Sequence, residues 1–312
     1  MKIRTLIQTL FLLCSLYIGV SFAHYLHSIM TGDMNVVKPG GVEAFLPISA
    51  FMSFKYFLMT GVFDRVHPAG LSLFIIFLII SAVFKRSFCG YVCPVGFVSE
   101  LISKTGAKVR LNRYAGYILS LPKYLLFIFF FAMITMMSAG AIAAFQRSQY
   151  NMVADAKMLY FFTRPTMTTA VVIGAIVLLT LVIKGFWCRF LCPYGVLQSI
   201  AGYLSPFYIK RHKEHCTNCG KCAKACPMGI EVNKKGMVLS PDCIGCHDCV
   251  RVRDNDRCLT VGRGYRPDRL AVWIVCVLSV LVIFAMVAGF WDSSIKSADY
   301  LRLLNGIDGI GH

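Results

Sequence analysis

A chain of 312 residues could fold as two soluble domains, but 57% hydrophobic and only 15% charged residues, with a mean hydropathy of +0.66, argue against that class and for an integral membrane protein. The formal charge is +17, from 32 Lys/Arg against 15 Asp/Glu. Its distribution, taken up below, reads as a topology signal, so nucleic-acid binding is not needed to explain it.

The first apolar run, TLIQTLFLLCSLYIGVSFA from Thr5 to Ala23, is long enough to cross about 30 Å of hydrocarbon as a helix. Lys2 and Arg4 before it and Ser21-Phe22-Ala23 at its end also resemble a signal peptide. The preferred reading is a retained anchor, and either reading leaves His24 outside. The next apolar segment, AFLPISAFMSFKYFLMTGVF over 44–63, is interrupted by Pro47, Lys55 and Gly61, so an interfacial or re-entrant helix is expected there. His24 and His27 lie one helical turn apart, and His67 precedes Pro68 at the mouth of the second span. These three are candidates for a quinol site at the outer interface, where an imidazole takes the proton released as a hydroquinone is oxidised. The alternatives are histidines that cap interfacial helix ends, or a haem-ligating pair without the C-x-x-C-H of covalent haem.

Further spans are expected at about 69–84, 121–145, 167–186 and 270–290. The second ends in FCGYVCPVGFVSELIS (88–103), and the fourth in WCRFLCPYGVLQSIAG (187–202), an internal repeat offset by 99 residues. Both copies follow a span of the same direction, so a pseudo-twofold axis along the membrane normal is expected to relate them. Cys89, Cys93, Cys188 and Cys192 would then converge at the inner face, as a further iron–sulfur centre shared by the two halves or as two redox-active dithiols. Pro94 and Pro193 suit the first turn of a new helix, where no amide donor is required. Free cysteine also packs in buried helices as a small apolar residue, which suffices for Cys14 and Cys276.

From His215 to Cys258 the chain holds eight of its fourteen cysteines. Cys216, Cys219, Cys222 and Cys226, followed by Pro227, reproduce C-x2-C-x2-C-x3-C-P, in which three thiolates close on one [4Fe–4S] cube and the fourth serves the neighbouring cluster. A second run starts at Cys243, Cys246 and Cys249, but Arg253 and Asp254 stand where its cysteine and proline belong, and the next thiol is Cys258. The reading is therefore crossed: one cluster on Cys216, Cys219, Cys222 and Cys258, the other on Cys243, Cys246, Cys249 and Cys226. Zinc on the same thiols, and a three-ligand or 3Fe second cluster, stay open as alternatives.

The N-terminus, the 85–123 connection and the 184–269 segment together carry 24 of the Lys/Arg but only 8 of the acids. The positive-inside rule makes that side cytoplasmic. The same charge could attract anionic headgroups or an acidic partner. The expected architecture is an all-α integral membrane protein of about five transmembrane helices in two C-x3-C-P repeats, with a small cytoplasmic ferredoxin-like insert for two [4Fe–4S] clusters. Its boundaries are a membrane domain over 1–209, the insert over 210–266, and a fifth span with an outer tail over 267–312.

The two C-x3-C-P loops and the ferredoxin insert together resemble the membrane polyferredoxin family, which includes NapH-type subunits, the membrane half of NosR and CcoG-type proteins. GGVEAFLPISA and HPAG are further similar to a branch of short members. The resemblance implies electron transfer between quinol and iron–sulfur centres in a bacterial inner membrane, serving a respiratory or periplasmic reductase through a redox partner subunit, periplasmic or flavin-bearing. A NosR-like role would need another chain to supply the flavin domain. The CcoG-like alternative is a copper-handling and copper-reducing factor for assembly of a respiratory oxidase. Partners implied are membrane lipid, the quinone pool and that subunit.

Overall fold

The computed structural model describes residues 3–106, 109, 112–252 and 258–306, and these are mostly helical. The sequence-predicted irregularity at Arg253 and Asp254 lies outside the described residues. Among them, three helices are long and apolar enough to cross a membrane: α1 (Ile3–Met30), the Tyr114–Met136 part of α5 (Arg113–Met136), and α13 (Pro267–Val287). A fourth is possible by the same measure if α8 (Ala154–Thr163) and α9 (Met167–Val182), bent by 74° at their junction, count as one span. α3 (Pro68–Phe84) is apolar but shorter.

Two expected spans end earlier than their hydropathy suggested. The apolar run over 121–145 is broken after Met136, because the Ser138 side chain accepts from Ala141 N and starts α6 (Ala139–Gln146) as a separate helix. The 167–186 run leaves its helix at Val182, and Gly185 takes a left-handed conformation (φ +60°) that only glycine adopts freely. The interrupted 44–63 segment forms α2 (Pro47–Thr60), with Pro47 in its first turn and Gly61 as a left-handed C-cap. Lys55, which interrupts its hydrophobicity, donates to the carbonyls of Ile134, Thr135 and Met137 at 3.0, 2.8 and 2.5 Å, satisfying the C-terminus of α5.

The chain divides into two compact units. One comprises Met1–Leu13, Phe77–Ile128 and Val171–Leu278; the other comprises Cys14–Ile76, Phe129–Ala170 and Ser279–His312. The first holds every cysteine of the two loops and of the insert. Its α4 (Pro94–Thr105) and α10 (Pro193–Gly202) each begin at the proline of a C-x3-C-P loop. The insert contributes α11 (Lys221–Ala225), α12 (Asp248–Arg251) and a short antiparallel ladder of β1 (Ile209–Arg211) with β2 (Leu259–Val261), Ile209 opposite Val261. That ladder carries Cys258 back beside the first cysteine run, since Cys258 immediately precedes β2 and His212 N donates to its carbonyl at 3.0 Å.

The second unit has its own core, where Phe22, Tyr25, Leu26 and Ile29 on one face of α1 meet Val153, Ala156, Tyr300 and Leu304. The last two lie on α14 (Ser297–Asn305). Smaller α7 (Gln149–Met152) completes the unit.

Candidate iron–sulfur site

Each C-x-x-C step of the insert contains one residue in the left-handed region: Asn218, Gly220, Gly245 and His247, with φ of 53°, 71°, 59° and 59°. Glycine and asparagine enter this region at low cost, and histidine more readily than most side chains. The two cysteine runs therefore coil alike, with the left-handed residue second in the first gap and first in the second gap. Coiling of this kind turns backbone amides toward sulfur. Ile230 N donates to Cys226 Sγ at 3.4 Å, and the amide of Asn218 holds the Cys216 thiol below its ordinary pKa.

The eight thiols line two cavities in the first unit. The outer one is bordered by Cys216, Cys219, Cys222 and Cys258, and the inner one by Cys226, Cys243, Cys246 and Cys249. Cys226 belongs in sequence to the first run yet lines the second cavity, and Cys258 does the reverse. The donor set suits iron–sulfur cubes.

The two cavities differ in exposure. Cys219 is exposed and Cys216 and Cys258 are half-buried, whereas the four inner cysteines are all buried, between 5% and 8% exposed. Burial pushes the Cys226 thiol up to about 11 and Cys249 well above its usual range. His247 borders the inner cavity; burial, with Arg251, Lys85 and Arg4 nearby, pushes it down to about 3, so it stands neutral.

Both C-x3-C-P loops lie against the insert, the first through Gly90 and Tyr91 and the second through Lys184 and Gly185 just before it. Each is a single π-helical turn, Phe88–Val92 and Trp187–Leu191, a feature that recurs at functional sites. The closing bonds match, Cys93 N to Phe88 O at 3.0 Å and Cys192 N to Trp187 O at 2.9 Å. In the first loop a Cβ on Gly90 would stand 2.5 Å from Ile244 O, and Tyr91 donates to Cys246 O at 3.2 Å. Three residues before the second, Lys184 Nζ donates to Cys226 O at 3.3 Å. Arg4 of α1 locks the first contact: its Nε donates to Gly90 O at 3.1 Å, its Nη2 pairs with Glu100 at 2.5 Å, and its Nη1 pairs with Asp248. Arg189 and Lys123 meet Asp242 at 3.8 and 2.7 Å beside the second. The four loop cysteines come together, as the repeat predicts, each within electrostatic reach of the others.

The histidines separate. His67 is buried in the second unit, its Nδ1 3.2 Å from Glu43 and its Nε2 2.7 Å from Asn151 O. Burial pushes this imidazole down, but the hydrogen bond and charge of Glu43 outweigh it and leave its pKa raised. Lys38 pairs with both Glu43 (3.1 Å) and Asp155 (2.5 Å), and Tyr300 donates to Asp155 at 2.5 Å. His24 and His27 lie on the exposed face of α1, His24 bonded to Ser28 one turn on. Sequence reasoning missed Arg4, Arg86 and Glu43 as site residues, although Glu43 lay in the quoted GGVEAF and Arg86 breaks the repeat, with Gly185 standing 99 positions on.

Comparison with known proteins agrees with this geometry. A 4Fe-4S binding domain matches at residues 66–112 and 165–212, covering both Cys-Pro loops, and a 4Fe-4S dicluster domain matches at 208–252. YccM of Escherichia coli (strain K12) is 36% identical over 99% of this chain and 91% of its own length. The methylamine utilization ferredoxin-type protein MauN of Methylorubrum extorquens is 31% identical over 63% of this chain and 68% of its own. The ferredoxin-type protein NapH of Escherichia coli (strain K12) is 22% identical over 55% and 60%. No solved structure matches. With one relative aligned along almost the whole sequence and the domain matches falling on both cysteine motifs, this chain belongs to the membrane polyferredoxin family of iron–sulfur electron-transfer proteins.

Proposed function

We propose that the chain carries single electrons between the quinol pool and a redox partner of a respiratory or periplasmic reductase, through two [4Fe–4S] clusters. Cys216, Cys219, Cys222 and Cys258 would hold one, and Cys226, Cys243, Cys246 and Cys249 the other. The observation that carries the reading is the sorting of eight cysteines into two four-thiol cavities, each using one cysteine from the other's run. When bound, such clusters accept and release one electron at a time at potentials set by hydrogen bonding and exposure. The chain's own residues hold sulfur in place, direct amides at it, and exclude water from the inner cavity but not from the outer one. The outer cavity is then the port for a partner, and the inner one faces the Cys-Pro loops.

Five spans, with the insert on the cytoplasmic side of an inner membrane, fit the charge asymmetry. The domain division at about 209 and 266 fits the insert's own ladder and cavities. Oxidising a hydroquinone also requires groups that handle protons. The second unit supplies buried ones in His67, Glu43, Asp155, Lys38 and Tyr300, with His24 and His27 at its surface. The test is anaerobic purification, iron and sulfide analysis and low-temperature EPR. About eight irons per chain are expected for two cubes, with the cluster signals developing on addition of a reduced quinol analogue. Zinc in place of iron would refute the cluster assignment, and clusters inert to both quinol and quinone would refute the quinone link.

A further inference from the structure

His247 has no counterpart in the first cysteine run. It stands between Cys246 and Cys249 where the first run places Gly220 between Cys219 and Cys222, and both residues take the left-handed conformation, with φ of 59° and 71°. Glycine enters that region freely, whereas a side chain there is held against a backbone preference. His247 is 1% exposed and lines the inner cavity, whose other lining side chains are its four cysteines and apolar groups such as Ile209, Met228 and Val238.

Neither ring nitrogen of His247 has a hydrogen-bond partner. Whatever its tautomer, an imidazole carries at least one N–H, and a buried donor left unpaired is costly. The basic side chains that surround it, Arg251, Lys85 and Arg4, only donate and cannot receive that proton. The carbonyl of the preceding Cys246 already accepts from Tyr91 Oη at 3.2 Å and Arg251 Nη1 at 2.9 Å, which fills both its lone pairs. The backbone of Phe207 lies near the ring but closes no hydrogen bond with it. Arg86, equally buried, shows the contrast. It donates to Cys89 Sγ at 3.4 Å, Cys188 O at 3.2 Å and Pro241 O at 3.0 Å. Among the described residues none accepts from the ring of His247, and a cluster held by the four thiols would bring sulfur acceptors into the cavity that the ring lines.

We propose that His247 donates an N–H hydrogen bond to the sulfur of the inner [4Fe–4S] cluster and so raises that cluster's reduction potential. The inference rests on the cluster reading above, since it assigns a role toward that cofactor. An added electron increases the negative charge on sulfur, so a donor aimed at sulfur stabilises the reduced cluster over the oxidised one. Burial alone acts the other way, because the more highly charged form loses more solvation. His247 thus gives the inner cluster the compensation that water gives the outer one, whose run has glycine at the same place. The buried cluster then stays reducible by the donor that reduces the exposed one. The imidazole keeps its N–H in both redox states, and only the electron moves.

The test uses the whole chain in detergent, purified anaerobically with its iron and labelled with nitrogen-15 in histidine alone. Pulsed EPR of the reduced inner cluster, identified as the signal that Cys226→Ala lacks, should show a coupling to one labelled nitrogen and to a proton that exchanges in heavy water. Both should vanish in His247→Gly, which gives this position the residue of the first run. The histidine coupling should vanish too in His247→Asn, which the left-handed region tolerates and which guards against loss of the fold. An EPR-monitored redox titration should place the inner midpoint of His247→Gly below that of the wild type, with the outer midpoint and the iron content unmoved. A coupling that survives either substitution would overturn the proposal. So would an inner midpoint that stays or rises, a rise being what loss of mere packing gives as water enters. Wild-type protein with iron but no histidine coupling, the outcome if the N–H is spent on the Phe207 carbonyl, overturns this assignment alone. A chain that binds no iron sinks the cluster reading first.

Discussion

The two cysteine cavities of the insert are built from the same coil and differ in what surrounds it. The outer cavity is walled by the insert's own short elements and keeps Cys219 in solvent. The inner cavity is lined by insert residues as well, but behind them Gly90 and Tyr91 of the first Cys-Pro loop abut Ile244 and Cys246, and Arg4 ties that loop to Glu100 and Asp248. The coil therefore sets ligand geometry, while exposure, and with it access for a partner, is set by residues hundreds of positions away in sequence.

The hardest blow to this contrast is the crossed substitution. Cys226→Ala, although in the first run, should remove the inner cluster, and Cys258→Ala the outer one, each dropping iron by about four per chain. EPR of reduced protein would show which signal survives, and loss of the same signal from both variants would end the crossed arrangement. Next in size is Arg4→Ala, which takes away the cation shared by buried Glu100 and Asp248 and leaves them only Lys104 and Arg251, at 3.1 and 3.0 Å. Removing one partner of such a network costs about 3–5 kcal/mol, read as a lower thermal midpoint, with the inner signal broadened and the outer one unchanged. The network also gives a sign for pH. Burial raises the Glu100 carboxyl, but Arg4 and Lys104 outweigh it and hold it below its usual value. Its contribution is thus complete above about pH 4.5 and is lost as pH falls further. The thermal midpoint of Glu100→Gln should accordingly lie below that of the wild type at pH 7 and converge with it in acid. A smaller effect is expected from Gly90→Ala. The new methyl would meet the Ile244 carbonyl, and overpacking of this sort costs about 1–3 kcal/mol. Oxygen should then reach the inner cluster faster, with the outer loss rate unchanged.

Which thiols border a common cavity was legible because C-x2-C steps have a short reach and Cys258 was the next thiol after an interrupted run. The left-handed residues were also in plain view as Asn218, Gly220 and Gly245 at glycine-rich steps. The convergence of the Cys-Pro loops followed from a repeat whose copies share Cys, Pro and Gly at fixed spacing. What stayed illegible depends on long-range contact. Arg4 and Arg86 read as topology charges because the positive-inside rule counts cations without asking where they point. The break of the repeat at Arg86 against Gly185 was the available signal. Glu43 and His67 are 24 residues apart and meet only through the loop that starts α2. The early helix ends at Met136 and Val182 were hidden because apolar content continues through both breaks, and caps are set by single residues.

The mildest probe of the contrast is thiol chemistry in protein stripped of iron by a chelator. Alkylation proceeds through the thiolate, so its rate follows the thiolate fraction and access. Cys216 is lowered by the amide of Asn218, with help from Cys258 and Arg211, and Arg211 Nη1 lies 3.7 Å from its sulfur. Cys258, half-buried beside it, is pushed up to about 11 by burial and keeps the shared proton. Cys226 reaches a similar value by deep burial. At pH 7 iodoacetamide should therefore modify Cys216 first, with a rate that levels off as pH approaches 9. Cys226 should react slowly and keep accelerating up to pH 10. Mass mapping over time separates the two curves, and equal rates at pH 7 would mean that the inner cavity owes its shielding to the bound clusters and not to the loops packed against it.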